Sequence, residues 1–198
     1  MGLIERELCQ NPNLGWIPPN TFALQGLDDG PEWYALVVKH QQERRTAEAL
    51  ELKGWEALAP MYRARRAWSD RTKELDMPLF AGYVFCRFVY GQKARLLNTP
   101  GVRRIVGFGS QPVPVLDAEI SAIQTVLRSK LPVRPWPFLK PGDRVRVERG
   151  PLRGVEGVLV KEKDARELVV SVELLQRSIA VRVDATSVVP VAGGHLRL

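Results

Sequence analysis

Basic and aromatic side chains are interspersed along residues 39–73, and these residue types are suited to holding a polyanion. Nine Lys and Arg residues stand there against five Asp and Glu residues, with Trp55, Tyr62 and Trp68 among them. Guanidinium groups hold phosphates through paired N–H donors, and flat rings offer stacking surfaces to unpaired bases. Pairs at helical spacing, such as Arg44–Glu48, account for part of the charge. The remainder favours nucleic-acid binding over a merely solvated surface.

A second cluster of side chains, aromatic rather than basic, lies in residues 79–88 (LFAGYVFCRF). Phe80, Tyr83, Phe85 and Phe88 stand closer together than a buried strand of a small domain requires. Since a strand alternates its faces, only some of the four rings can face outward. We expect Phe80 and Tyr83 to be the outward pair and to contact a partner.

The side chains that acid–base or nucleophilic catalysis would need are missing. The histidines are His40, in a charged loop, and His195, near the end of the chain. Neither has a candidate partner, and no phosphate-binding loop, dinucleotide fingerprint or Cys/His metal cluster is present. We therefore expect a binding protein with no catalytic residue, no cofactor and no metal.

Length and composition indicate a globular protein of one ordinary domain or two small ones. The 198 residues carry a net charge of +7, concentrated in residues 33–138, where 17 Lys and Arg face 9 Asp and Glu. Such a field attracts polyanions. No apolar run is long enough to span a bilayer, no export signal is visible, and Cys9 and Cys86 have no metal-like spacing. We expect a reduced cytoplasmic protein that is monomeric and does not bind membranes.

The elements that must position these residues follow from periodicity. Residues 42–53, 92–98 and 117–130 have helical spacing, and Asp117 can cap the last of these helices. Strands are expected at 33–39, 57–63, 82–88 and 102–106, with a polar hairpin at 65–75. This order predicts an α+β fold, an α/β sandwich with a mainly antiparallel sheet.

A change of pattern near residue 131 divides the chain. Residues 131–138 contain three prolines and are expected to form an extended linker. Beyond them the apolar period becomes two and valine dominates, which predicts a small five-stranded barrel rather than helices. The expected organisation is a poorly ordered leader at 1–32, a first domain at 33–130, the linker at 131–138, the barrel at 139–191 and a tail at 192–198.

Four short motifs in the first domain, and one after the linker, resemble the NusG family of transcription elongation and antitermination factors. They are Trp33-Tyr34, Leu58-Ala59-Pro60, Pro78 to Phe85, Asn98 to Val102, and the KOW-like run from Lys140 to Gly157. Their ordered combination is more specific than any one of them. The resemblance covers roughly residues 33–191 and identifies an NGN domain followed by an SH3-like KOW barrel. Ala81 departs from the family, where many members have proline.

The resemblance implies partners and contact residues. The first domain would bind the clamp helices of the RNA polymerase β′ subunit through Trp33, Tyr34, Leu79, Phe80, Tyr83 and Phe85. Upstream or non-template DNA would meet basic residues, for which the candidates are Lys39, Arg44, Arg45, Lys53, Arg65, Arg66, Arg103 and Arg104. The KOW barrel would contact the ribosomal protein NusE, or Rho, through a loop that contains Leu152, Gly154, Val155 and Gly157.

Within the family, Pro78-Leu79-Phe80 and Leu174 to Ser178 resemble specialised paralogues of the RfaH and UpxY type. This implies suppression of pausing or termination on specific operons of the polysaccharide type. Two alternatives remain open: a housekeeping NusG that couples polymerase to Rho or the ribosome, and a ribosome-associated RNA-binding KOW protein.

Overall fold

A computed structural model of the chain describes residues 30–67, 72–109, 111–138, 144–162 and 165–191. The expected tail, and all but the last three residues of the expected leader, lie outside these ranges. Within them, no helix is both long enough and apolar enough to cross a membrane.

The described part of residues 32–128 contains eight strands and three α-helices. In chain order they are β1 (Glu32–Val38), α1 (Glu43–Glu51), β2 (Glu56–Leu58), β3 (Met61–Ala67), β4 (Thr72–Pro78), β5 (Tyr83–Phe88), α2 (Lys93–Leu97), β6 (Val102–Ile105), β7 (Gly107–Phe108), β8 (Gln111–Pro112) and α3 (Asp117–Arg128). The predicted hairpin is β3–β4, and the predicted strand at 57–63 is divided into β2 and β3. The predicted helices are confirmed within a few residues at their ends.

The first sheet has the strand order β2-β5-β1-β6, and all its pairs are antiparallel. Strand alternation gives β1 two apolar faces. Leu36 and Val38 pack with Leu50 of α1 and Leu96 of α2, whereas Trp33 and Ala35 belong to a second cluster. The expected mixed fold with a mainly antiparallel sheet is confirmed.

Helix α3 packs against both β1 and a strand of the second half of the chain, β12 (Ala165–Val172). Its buried side chains, Ile120, Ile123 and Val126, recur at the spacing that predicts an amphipathic helix. The expected cap is wrong by one position. Leu116 is the N-cap residue and Asp117 is the first helical residue, where its carboxylate still suits the positive end of the helix dipole.

The second sheet has six antiparallel strands in the order β14-β10-β11-β12-β13-β9. Their bounds are β9 (Val133–Trp136), β10 (Arg144–Val147), β11 (Glu156–Glu162), β12 (Ala165–Val172), β13 (Arg177–Arg182) and β14 (Val188–Pro190). Residues 144–190 thus contribute five strands, as predicted. Buried valine and leucine side chains on one face of the sheet join the cluster that contains α3.

The proline-rich segment does not form a linker without secondary structure. Val133–Trp136 is strand β9, and it pairs with β13 from Val133↔Val181 to Trp136↔Ser178. Sequence reasoning failed here because proline lacks only the N–H donor, and an edge strand tolerates that loss on its open side.

Candidate functional site

Five of the six predicted polymerase-contacting residues lie on one side of the first sheet. Trp33, Leu79, Phe80 and Phe85 belong to the cluster that contains α3, and Tyr83 packs against its edge. We call these five residues the aromatic face. Strand alternation and the turn at Gly82 bring them together from three segments of the chain.

Tyr34 is separated from the aromatic face. It lies on the opposite side of the sheet, where its ring packs 4.6 Å from that of Phe88 and its hydroxyl donates to Glu32 at 3.1 Å. Burial, together with the nearby Glu32 carboxylate, raises the pKa of the Tyr34 phenol above its ordinary value. Tyr34 is therefore a core residue.

The expectation that Phe80 faces outward is wrong. Its side chain is 0% exposed, and its ring meets Phe85 edge-on with 5.4 Å between the centroids. The residues preceding the Gly82 turn fold back against the sheet, because the N–H of Tyr83 donates to the carbonyl of Phe80. Strand alternation does not set the direction of Phe80, because this residue lies before β5 and not in it.

The rim of the aromatic face carries contacts from the second sheet. The guanidinium of Arg177 lies 5.3 Å from the ring centroid of Tyr83. On α3, the Glu119 carboxylate accepts the backbone N–H of Glu173 at 3.0 Å. Burial raises the pKa of this carboxyl, partly offset by the hydrogen bond. The side of the first sheet that bears the aromatic face is therefore shared with α3 and the second sheet.

Four of the predicted DNA-contacting residues, Lys39, Arg45, Arg103 and Arg104, are exposed. Arg45 lies on α1, and the other three lie near one edge of the first sheet. The backbone N–H of Lys39 donates to the carbonyl of Gly101, and Arg104 pairs in register with Val37. A bulge leaves Arg103 without a partner in β1. We call Lys39, Arg103 and Arg104 the basic edge.

Three other predicted basic contacts have different settings. Lys53 donates to the Thr99 hydroxyl at 2.9 Å, which ties the end of α1 to the turn before β6. Arg44 pairs with Asp76 of β4 at 2.7 Å, and this contact holds the pKa of Asp76 below its ordinary value. The backbone of Arg65 in β3 is paired with that of Glu74 in β4.

Arg66 is likewise in β3, opposite Lys73. The side chains of Arg65 and Arg66 lie outside the described part of the molecule.

In the loop that was predicted to bind a partner of the KOW barrel, the apolar side chains face the core. Leu152 and Val155 are buried in the core cluster. Gly154 has φ +87°, which a residue with a Cβ rarely adopts, and a Cβ at Gly157 would collide with the carbonyl oxygen of Val169. The glycines have the close-backbone role expected of them, whereas the two apolar side chains stabilise the loop from inside.

Sequence reasoning missed Arg134, Glu119 and Arg177. Each contacts a residue more than 30 positions away, so no local sequence pattern indicates the contact. Among the described residues, no group of three His, Cys, Asp or Glu side chains could hold a metal ion.

Comparison with known proteins identifies the family. The family model described as "Transcription termination factor nusG" matches residues 31–124. The transcription termination/antitermination protein NusG of Escherichia coli (strain K12) is 30% identical over 141 residues, which cover 67% of this chain and 76% of that protein. The chain belongs to the NusG family.

Two further relatives cover more of the chain. The NusG of Buchnera aphidicola subsp. Baizongia pistaciae is 27% identical over 172 residues, 79% of this chain and 94% of that protein. A solved structure described as "Domain interaction in Thermotoga maritima NusG" is 26% identical with a TM-score of 0.46, and covers 80% of this chain and 96% of that one. The chain is a NusG-like transcription termination/antitermination factor.

Proposed function

We propose that this NusG-family chain binds the clamp helices of the RNA polymerase β′ subunit through the aromatic face and meets upstream or non-template DNA through the basic edge. By bridging the two, it suppresses pausing or termination. It makes and breaks no bond. The observation that carries the proposal is the gathering of five apolar contact residues on one side of the sheet, apart from the basic edge.

The described arrangement places a condition on this function. Since the aromatic face is buried in a cluster shared with the second sheet, polymerase can reach it only when the two sheets separate. An apolar surface of this kind, with Tyr83 and Arg177 at its rim, has the composition of a protein interface.

Substitution of Tyr83 tests the docking role. We expect Tyr83→Ala to weaken binding of core polymerase by about 30-fold, because tyrosine is enriched among the interface residues whose truncation costs about 2 kcal/mol or more. Binding is measured by titration of labelled core polymerase with the full chain. Tyr90→Ala is the matched control, since Tyr90 is also half-buried but its hydroxyl contacts only Lys93 among the bonds described.

Arg177→Ala tests whether the second sheet covers the surface to which polymerase docks. It removes the contact with Tyr83 that comes from the second sheet and leaves the first sheet intact, so polymerase affinity should rise, by up to about fivefold for a contact of about 1 kcal/mol.

Equal losses in Tyr83→Ala and Tyr90→Ala, or no change in either, would count against the aromatic face as the docking site.

The basic edge is tested by salt dependence. We expect Arg104→Ala to lower the slope of log affinity for duplex DNA against log salt by about 0.9, the loss of one phosphate contact. Arg87→Ala is the control, because Arg87 pairs with Glu56 at the opposite edge of the sheet. Equal slopes for the two variants would remove DNA binding from the basic edge.

The choice of genes rests on the resemblance of Pro78-Leu79-Phe80 and Leu174 to Ser178 to specialised paralogues. We propose that the protein acts in the cytoplasm on particular operons of the polysaccharide type. Deletion should then alter transcription of one or a few operons, whereas a genome-wide effect would indicate a housekeeping NusG coupled to Rho or the ribosome.

A further inference from the structure

Strand β9 belongs to the second sheet but follows α3 after a very short connection. Helix α3 ends at Arg128 and β9 begins at Val133, so only residues 129–132 join the first half to the second sheet. Four residues span at most about 14 Å even when fully extended. While β9 remains in the second sheet, the edge of that sheet at β9 stays within about 14 Å of the end of α3.

Release of β9 would change this limit. The connection would then run over residues 129–143, from the end of α3 to the start of β10. Such a segment reaches about 50 Å when extended, and its prolines favour extended conformations. The pairing of a single short strand therefore decides whether the connection is short or long.

The pairing of β9 is well suited to being reversible. It is an edge strand of four residues, and Pro135 offers no backbone N–H. Its specific attachment is Arg134, which lies opposite Ala180 of β13. The Arg134 guanidinium reaches across β13 to Glu167 of β12 at 2.8 Å and stacks 4.2 Å from the Trp136 ring centroid.

Glu167 makes this attachment energetically important. It is 8% exposed, and among the described residues only Glu43 is a second buried charged residue, so loss of Arg134 would leave a carboxylate poorly solvated. Ala180, at 1% exposure, is small enough to let Arg134 cross the strand. Glu167 and Ala180 thus give the sheet an acidic partner and a path across β13 for Arg134.

We propose that β9 is a detachable tether strand, held by the Arg134–Glu167 pair, whose release lets the second sheet leave the aromatic face. This inference rests on the proposed function for its consequence, the exposure of a polymerase-docking surface. Its physical content, control of the separation of the two sheets by β9, can be measured without polymerase.

Arg134→Asp tests the attachment. In the full chain we expect exchange of the β9 amides, those of residues 133, 134 and 136, to become at least about tenfold faster and the radius of gyration from small-angle scattering to increase, since two carboxylates would then face each other. Arg144→Asp is the matched control, because Arg144 lies in the same sheet, pairs with Glu156 at 3.7 Å and does not touch β9. Unchanged exchange at β9 in Arg134→Asp would overturn the role of the ion pair.

A pair of insertions tests the tether itself. Ten Gly/Ser residues inserted between Lys130 and Leu131 should increase the radius of gyration even while β9 stays paired, because the short connection is lengthened directly. The same insertion between Phe138 and Leu139 should leave the radius of gyration unchanged. That site lies beyond β9, so the connection between α3 and β9 keeps its length. Equal radii for the two insertions would overturn the tether.

Polymerase binding separates the two proposals. We expect Arg134→Asp to bind core polymerase more tightly than Arg144→Asp. If Arg134→Asp separates the sheets in scattering but gains no affinity, the aromatic face is not the docking site, and the tether stands. If affinity rises without separation of the sheets, the tether is wrong, because something other than the release of β9 then governs polymerase binding.

Discussion

Phe80→Ala is expected to lower the free energy of unfolding by about 3–5 kcal/mol, the cost of deleting a large ring from a packed core. Phe80 has no exposed surface, and its ring packs edge-on against Phe85 beneath the turn that opens β5. Urea titration monitored by tryptophan fluorescence would show the change as a lower midpoint.

The matched control for this variant is Phe108→Ala. Phe108 is 58% exposed in the β7–β8 hairpin, and its removal should change stability by no more than about 0.5 kcal/mol. Equal midpoints for the two variants would contradict the burial of Phe80. Because Phe80→Ala damages the fold, a loss of polymerase binding by that variant would not identify a contact residue, and Tyr83 is the better probe.

Gly157→Ala is expected to cost about 3 kcal/mol through overpacking. Gly157 lies in β11 beside β12, where an added Cβ would collide with the carbonyl oxygen of Val169 and come within 3.1 Å of the Leu168 side chain. The backbone oxygen cannot move without breaking the pairing of the two strands. Amide exchange in β11 and β12 should therefore accelerate, alongside the fall in stability.

Gly91→Ala serves as the comparison, since a Cβ there would meet nothing within 4 Å. It should be neutral or stabilising by up to about 1 kcal/mol, because alanine reduces the freedom of the unfolded chain. A Gly157→Ala variant as stable as Gly91→Ala would show that β11 and β12 do not approach as closely as described.

Local patterns in the sequence predicted the elements well. The apolar spacing of Ile120 and Ile123 predicted α3, and the alternation of Val145 and Val147 predicted β10, because both patterns depend on the geometry of a single element. The ordered motifs also identified the family. None of these predictions required knowledge of what each element packs against.

Predictions about faces and partners were less successful. The exposure of Phe80 was wrong because it depends on how the preceding residues fold back, and Leu152 and Val155 were expected at a binding surface but lie in the core. Composition alone cannot show which apolar side chains are covered, since core and interface use the same residue types.

The amino-acid sequence by itself determined the family, the order of the elements and the separation of basic candidate residues from an aromatic segment. Only the tertiary structure decided that the aromatic face is covered and that the proline-rich segment is a strand. Both depend on contacts between distant residues, Tyr83 with Arg177 and Arg134 with Glu167. Such contacts form only once separate elements have packed, so no local pattern of residues encodes them.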